Sequence, residues 1–386
     1  MGRKRRTHAE SRSPEDVPPQ FRTVSVIAQD PAVRTRPGGP ILMARVSIPA
    51  EALAPGPTGY RIQVVDYDAT RGSYAGAHEL PAIDTKEPAA WRKGSASIVR
   101  DPVFRAHNVY AVAMKTLAHF EYALGRRLGW RFRNHQIKIA PAAMADANAF
   151  YSRDDEGLVF GYFRGASGSD VYTCLSHDVV VHETTHALLD GLRERFLLPS
   201  TPDQAAFHEG FSDVIALLSV YAQREIVRAL LRPLANADDT IARGKISVAG
   251  LRESALFRLA EQMGDEIAGT RGRPLRASAE LEPDPGMLDR PEFEECHQRG
   301  EVLVAAVLRA FLSAWVERVT SAMVPGQSRV SVMQVSEEGA DIAQALATMW
   351  IRGLDYLPPS DMEFGDALSA ALTADYEVRP DDSRFR

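Results

Sequence analysis

His182 and His186 stand four residues apart, with Glu183 directly after the first, in the segment VVVHETTHALLDGLRERF. On a helix, positions i and i+4 share a face, so both imidazoles can point at one place. Imidazole nitrogen binds zinc at about 2.0–2.1 Å. Glu183 stands about 100° round the helix from His182, off the ligand face but within reach of a water beside an ion. Two ligands and one general base from a single turn is the chemistry of H-E-x-x-H. Val179, Val180 and Val181 precede the motif, and Ala187, Leu188, Leu189 and Leu192 follow it. They predict an enclosed helix, where imidazoles need partners.

A catalytic zinc takes three protein ligands and keeps one position open. FHEGFSDVIALL supplies the third candidate, Glu209, on the next predicted helix. Asp213 follows one turn later on the same face, where a carboxylate can accept the second ring N–H of a ligating histidine. His208 is offset by about 100° from Glu209 and is expected to pack or to support the ligands from behind.

These residues need elements to position them. Residues 1–40 are rich in Pro, Arg, Ser and Gly and read as a basic, disordered tail, with Arg3 to Arg6 available for a weak contact with an acidic surface or nucleic acid. ILMARVSIPA and YRIQVVDYD read as strands. DPVFRAHNVYAVAMKTLAHFEYALGRRLGW reads as a long helix capped by Asp101, with Pro102 in its first turn. HQIKIAP is a short strand, and NAFYSRDDEGLVFGYF a hairpin with Ser152 to Gly157 as its loop. The histidine helix follows, then a helix starting near Thr201. A breaker-rich surface loop occupies about 268–296, and GEVLVAAVLRAFLSAWVERV beyond it is helical. The division expected is the tail, a mixed α/β lobe over 41–195 ending in the histidine helix, and a mainly helical lobe over 196–386.

Composition excludes some classes. A net charge of −6 gives no general reason to expect nucleic acid as the partner. Cys174 and Cys296 lie far apart, which argues against a disulfide framework and a cysteine zinc cluster. Cys296 reads as a small buried apolar residue. No run approaches eighteen apolar residues, so no membrane span is expected. The N-terminus has no apolar stretch after its charges, so no signal peptide is read and the cytoplasm is the default compartment.

With these motifs in place, the sequence resembles the thermolysin-like zinc metallopeptidases, the gluzincins with HExxH plus ExxxD. SHDVVVHETTHALLD and FHEGFSD are similar to that family's zinc helix and third-ligand helix. NAFYSRDDEGLVFG is similar to its substrate-binding edge strand, and CHQRGEVLVAAVLRAF to the segment carrying its transition-state histidine. The resemblance runs patchily from about residue 101 to about 320. It implies an α+β, two-lobed fold with zinc in the cleft, held by His182, His186 and Glu209. It further implies Asp213 as the partner of a ligand histidine, Glu183 as general base acting on a metal-activated water, and His297 as the oxyanion donor. Asn148 and Ala149 would bind the backbone of a peptide or protein substrate.

The chain departs from the family in places. Phe196 and Leu197 occupy the neighbourhood of its tyrosine, and Arg271, Arg273 and Arg276 are candidates for its substrate-binding arginine. Asp178 resembles a structural-calcium ligand, but Val220 stands where a second acid is expected, so calcium is not expected. No propeptide is read. The motif reports metal and base, so a zinc hydrolase of a non-peptide substrate and a non-catalytic, zinc-stabilised interaction protein are the alternative classes. The sequence sets no oligomeric state.

Overall fold

The computed structural model describes residues 20–34, 38–81, 86–165, 168–253 and 281–381. The fold is α+β. Strand β1 (Phe21–Ile27) pairs antiparallel with β2 (Met43–Pro49). β1 lies inside the stretch expected to be tail. Val24, Val26 and Ile27 are fully buried, so the segment FRTVSVI joins the core despite its Pro- and Arg-rich flanks. The basic residues Arg3 to Arg6 lie outside the described residues.

β3 (Ile62–Val64) is followed by a two-residue ribbon of β4 (Tyr67–Asp68) and β5 (Ser73–Tyr74), which divides the expected YRIQVVDYD strand. After the short α1 (Ala89–Arg92) comes α2 (Pro102–Leu124). Asp101 Oδ1 accepts from Val103 N at 2.9 Å at its start, and Gly125 ends it in the left-handed region. β6 (Ile137–Met144), β7 (Ala149–Ser152) and β8 (Gly157–Arg164) follow, with β9 (Asp170–Tyr172) pairing antiparallel with β8. The sheet order is β3-β6-β8-β7, parallel at its first two pairings and antiparallel at the β7–β8 hairpin. β7 is therefore an edge, and α3 (His177–Leu192) packs beside it.

The rest is mainly helical: α4 (Pro202–Tyr221), α5 (Arg224–Leu231), α6 (Val248–Glu253), α7 (Cys296–Ser321), α8 (Val332–Gly353) and α9 (Phe364–Val378). A small ribbon of β10 (Thr240–Ala242) and β11 (Arg329–Ser331) ties α5–α6 to the start of α8. Thr201 Oγ1 caps α4 by accepting from Gln204 N at 3.1 Å. One buried apolar cluster runs from Val24 to Ala371 and takes residues from both expected lobes. α3 is buried at every position from His177 to Asp190, so a polar side chain on it must find a partner inside the protein. Thr184 and Thr185 do so within the helix, donating to Val180 O at 2.6 Å and Val181 O at 2.8 Å.

Two glycines set the approach of α4 and α7. A Cβ on Gly300 would lie 3.0 Å from Gly210 N and 3.1 Å from Ala206 O, and one on Gly210 would lie 2.9 Å from Gly300 O. The backbones touch there because neither helix carries a side chain at the crossing. Glu209 and His297 sit within one turn of that contact.

Candidate metal centre

α3 and α4 bring three donors together. His182 Nε2 and His186 Nε2 each lie 3.5 Å from Glu209 Oε2. The three ligand atoms fall within 4.8 Å of one another. The imidazoles meet edge to face, with centroids 4.4 Å apart and an interplanar angle of 88°.

The other nitrogen of each ring is anchored. His182 Nδ1 is 2.7 Å from Asp213 Oδ1, and an ionised carboxylate only accepts, so the ring proton belongs on Nδ1. His186 Nδ1 is 3.2 Å from Ser212 Oγ, whose own proton goes to His208 O at 2.9 Å. Ser212 thus accepts from His186. Both Nε2 atoms are left to present lone pairs towards the Glu209 carboxylate, so three electron-pair donors converge on one point. Tetrahedral zinc at about 2.0–2.1 Å from each ligand sets nitrogen and oxygen about 3.3–3.4 Å apart, close to the spacing found. The donor set fits a divalent cation.

Electrostatics point the same way. Burial alone would raise the Glu209 carboxyl, but the neighbouring His182 and His186 imidazoles outweigh burial and hold it below the ordinary carboxylate range. Burial, then the neighbouring His182, lowers the pKa of His186. His208 stacks on His186 at 4.5 Å and 6°, and burial followed by His186 keeps it neutral well below the ordinary imidazole range. It packs behind the ligand set, as its offset from Glu209 leads one to expect.

Glu183 is fully buried, and its Oε2 accepts from Tyr151 N at 2.9 Å. The edge strand is bolted to α3 a second time, at Asp190. That buried carboxylate accepts from Tyr151 Oη at 2.8 Å, from Arg153 Nε at 2.9 Å and from Arg153 Nη2 at 2.5 Å. Asn148 opens β7, its Oδ1 accepting from Ala149 N at 2.9 Å and its carbonyl from Gly161 N at 2.8 Å. Backbone groups alternate sides along a strand. Because Tyr151 N–H points at Glu183, the Ala149 and Tyr151 carbonyls face that side too, away from β8.

His297 sits in the first turn of α7, whose N-cap is Glu295. Its Nε2 is 3.7 Å from Glu209 Oε2, and its Nδ1 is 2.6 Å from Glu295 Oε1. The side chain is 56% exposed, so it faces the centre from an open side. Cys296 is half-buried and is not the core residue expected, because the first turn of α7 leaves it beside His297. Phe196 is buried against Phe207. Asp178 is buried beside Asp30; burial, then the Asp30 charge, pushes its carboxyl up to about 7. Val220 is buried as an apolar residue. Arg271, Arg273 and Arg276 lie outside the described residues with the first part of the expected 268–296 loop; from residue 281 that stretch is described and holds two short 3-10 turns, Pro285–Asp289 and Pro291–Phe293.

Sequence reasoning missed Ser212, Tyr151, Asp190, Glu295 and the Gly210–Gly300 crossing. It also missed Glu301, whose carboxyl burial, then the charges of Asp213 and Glu295, push up to about 7. Asp190 had a legible signal, since it lies one turn beyond His186 on the same helix face. The others depend on contacts between distant segments.

No helix among the described residues is long and apolar enough to cross a membrane. No protein-family model matches the chain, and no curated protein matches it. Among solved structures, the chain is similar to the precursor of protealysin, a metalloproteinase from Serratia proteamaculans. That likeness covers 85% of each chain at 16% sequence identity, with a TM-score of 0.43. At that distance the chemistry has to be read from this chain's own residues.

Proposed function

We propose that this chain is a zinc-dependent endopeptidase of thermolysin-like design, acting on a peptide or protein. His182, His186 and Glu209 hold the ion, Asp213 orients His182, and the segments 41–195 and 196–386 act as lobes either side of it. The observation that carries this reading is the convergence of those three donors, two rings anchored from behind, with the buried Glu183 carboxylate tied to the backbone of an edge strand. A bound zinc ion would supply a Lewis acid that polarises a carbonyl and acidifies a water.

The chain's residues do the rest. The open side of β7 accepts an extended peptide by strand addition, with Asn148 and Ala149 at its start. The Tyr151 N–H fixes Glu183 relative to that strand, so the base and the aligned peptide keep one geometry. Glu183 takes a proton from the attacking water and passes it to the departing amine. His297 donates from Nε2 to the oxygen that gains charge at the scissile carbon. The test is a mixture of peptides incubated with the chain before chelation, after chelation and after zinc is restored. Internal cleavage that is lost and then regained supports the reading. Zinc binding without peptide cleavage, or cleavage indifferent to chelation, contradicts it and favours a non-peptide hydrolase or a zinc-stabilised interaction protein.

A further inference from the structure

We infer a second metal site, formed by Glu295, Cys296 and His297 at the start of α7, that takes a borderline divalent transition ion of the zinc type. It adjoins the His182–His186–Glu209 group but shares no ligand with it.

Three different donors meet there. Cys296 Sγ is 3.3 Å from Glu295 Oε1 and 3.5 Å from His297 Nδ1, and His297 Nδ1 is 2.6 Å from Glu295 Oε1. All three ligand atoms fall within 4.8 Å of one another. With Zn–S of about 2.3 Å and Zn–N or Zn–O of about 2.0–2.1 Å, tetrahedral geometry places sulfur about 3.5–3.6 Å from its neighbours. Both sulfur separations are already near that. The nitrogen–oxygen pair is at hydrogen-bond length and opens by a small rotation of the Glu295 carboxylate once the shared proton leaves.

The donor chemistry selects the ion. Thiolate and imidazole disfavour calcium and magnesium, which take oxygen ligands. The positive end of the α7 dipole opposes a cation, and the two negative charges of thiolate and carboxylate outweigh it. Binding releases the Cys296 thiol proton to solvent, while the His297 ring proton moves from Nδ1 to Nε2 by exchange with solvent as Nδ1 takes the ion. Glu295 and His297 are each about half exposed, so an ion can enter without opening the core.

The site has a consequence for its neighbour, and that consequence rests on the peptidase reading. With Nδ1 taken by the ion, the His297 ring proton must sit on Nε2, the atom 3.7 Å from Glu209 Oε2. An ion at Glu295–Cys296–His297 thereby holds His297 as a neutral donor facing the first centre, and couples that centre to the level of free metal.

Cobalt(II) tests the site, because only thiolate ligation gives an intense near-ultraviolet charge-transfer band and the first centre has no sulfur. The metal-free full chain is titrated with cobalt while absorbance and bound metal are followed. The expected result is two ions per chain with one thiolate band, and loss of the band and of one ion in Cys296→Ser. Glu295→Gln, which keeps the thiol, should weaken the band-forming step about tenfold or more. The His182→Ala/His186→Ala double variant should keep the band, which separates failure of the first centre from failure of the second. No thiolate band in the unaltered chain, or a band that persists in Cys296→Ser, overturns the proposal.

Discussion

Gly300→Ala probes how α7 delivers His297 to the metal centre. The new Cβ would lie 3.0 Å from Gly210 N, 3.1 Å from Ala206 O and 3.3 Å from Gly210 Cα. Ordinary contacts of carbon with heavy atoms begin near 3.5 Å, so α7 must move off α4 by roughly 0.5 Å. Overpacking of this kind costs about 1–3 kcal/mol, and replacing a helical glycine by alanine returns up to about 1 kcal/mol. The net loss of stability is thus on the order of 0–3 kcal/mol. His297 lies three residues before Gly300 and moves with it, away from Glu209. A misplacement of about 1 Å can cost on the order of a hundredfold, so half of that should lower kcat on the order of tenfold. Bound zinc should stay at one equivalent at the first centre, because His182 and His186 are on α3 and Glu209 is on α4, whose place against α3 is kept while α7 moves. The assay is steady-state cleavage in a double-mutant cycle with His297→Ala. If the glycine acts by placing His297, Gly300→Ala adds no further loss of kcat once His297 is gone. Equal losses in both backgrounds, or an unchanged kcat in Gly300→Ala alone, would refute the reasoning.

Three other outcomes follow from particular contacts. Removing the Asp213 carboxylate, 2.7 Å from His182 Nδ1, should weaken zinc binding about 10–100-fold; competition with a chromophoric chelator measures this, and unchanged affinity would show that Asp213 does not orient the ligand. Asp190→Ala should cost about 1–3 kcal/mol, discounted because Arg153 is partly exposed. Urea unfolding reads that cost, faster amide exchange at Tyr151 should accompany it, and exchange as slow as before would remove Asp190 as the clamp. Asp178 gives a pH signature. Its folded carboxyl stands at about 7 against an ordinary 3.8, so between those values the folded chain keeps a proton that the unfolded chain releases. Stability should fall as pH rises through that window, by at most about 4 kcal/mol. Asp178→Asn should flatten the profile and stabilise the protein at pH 8 relative to the unaltered chain; an unaltered profile would count against it.

Local chemistry made much of this fold readable. The Asp101 and Thr201 caps, the β7–β8 hairpin around Ser152 to Gly157, and α3 as an enclosed helix all follow from neighbours in sequence. The pairing of Asp213 with one of the two motif histidines, His182, was legible because i+4 from Glu209 fixes its face. What stayed hidden involves partners far apart. β1 lost its signal to Pro- and Arg-rich flanks, although Val24, Val26 and Ile27 are fully buried. Ser212 looked like any helical serine until His186 arrived beside it from α3. Gly210 and Gly300 read as weak helix formers, and only their contact shows that the missing side chains let α7 come close. The Tyr151 N–H to Glu183 bond leaves no trace in residue types, since a main-chain group makes it.

The most direct test of the peptidase reading sets three forms side by side: the unaltered chain, Glu183→Gln and His186→Ala, each with zinc per chain and internal cleavage of a peptide library measured on the same preparation. On the peptidase reading the unaltered chain cleaves, Glu183→Gln keeps its zinc at the first centre but loses cleavage by several orders of magnitude, and His186→Ala loses both. Cleavage by Glu183→Gln at the unaltered rate, or full zinc occupancy of that centre in His186→Ala, would contradict it.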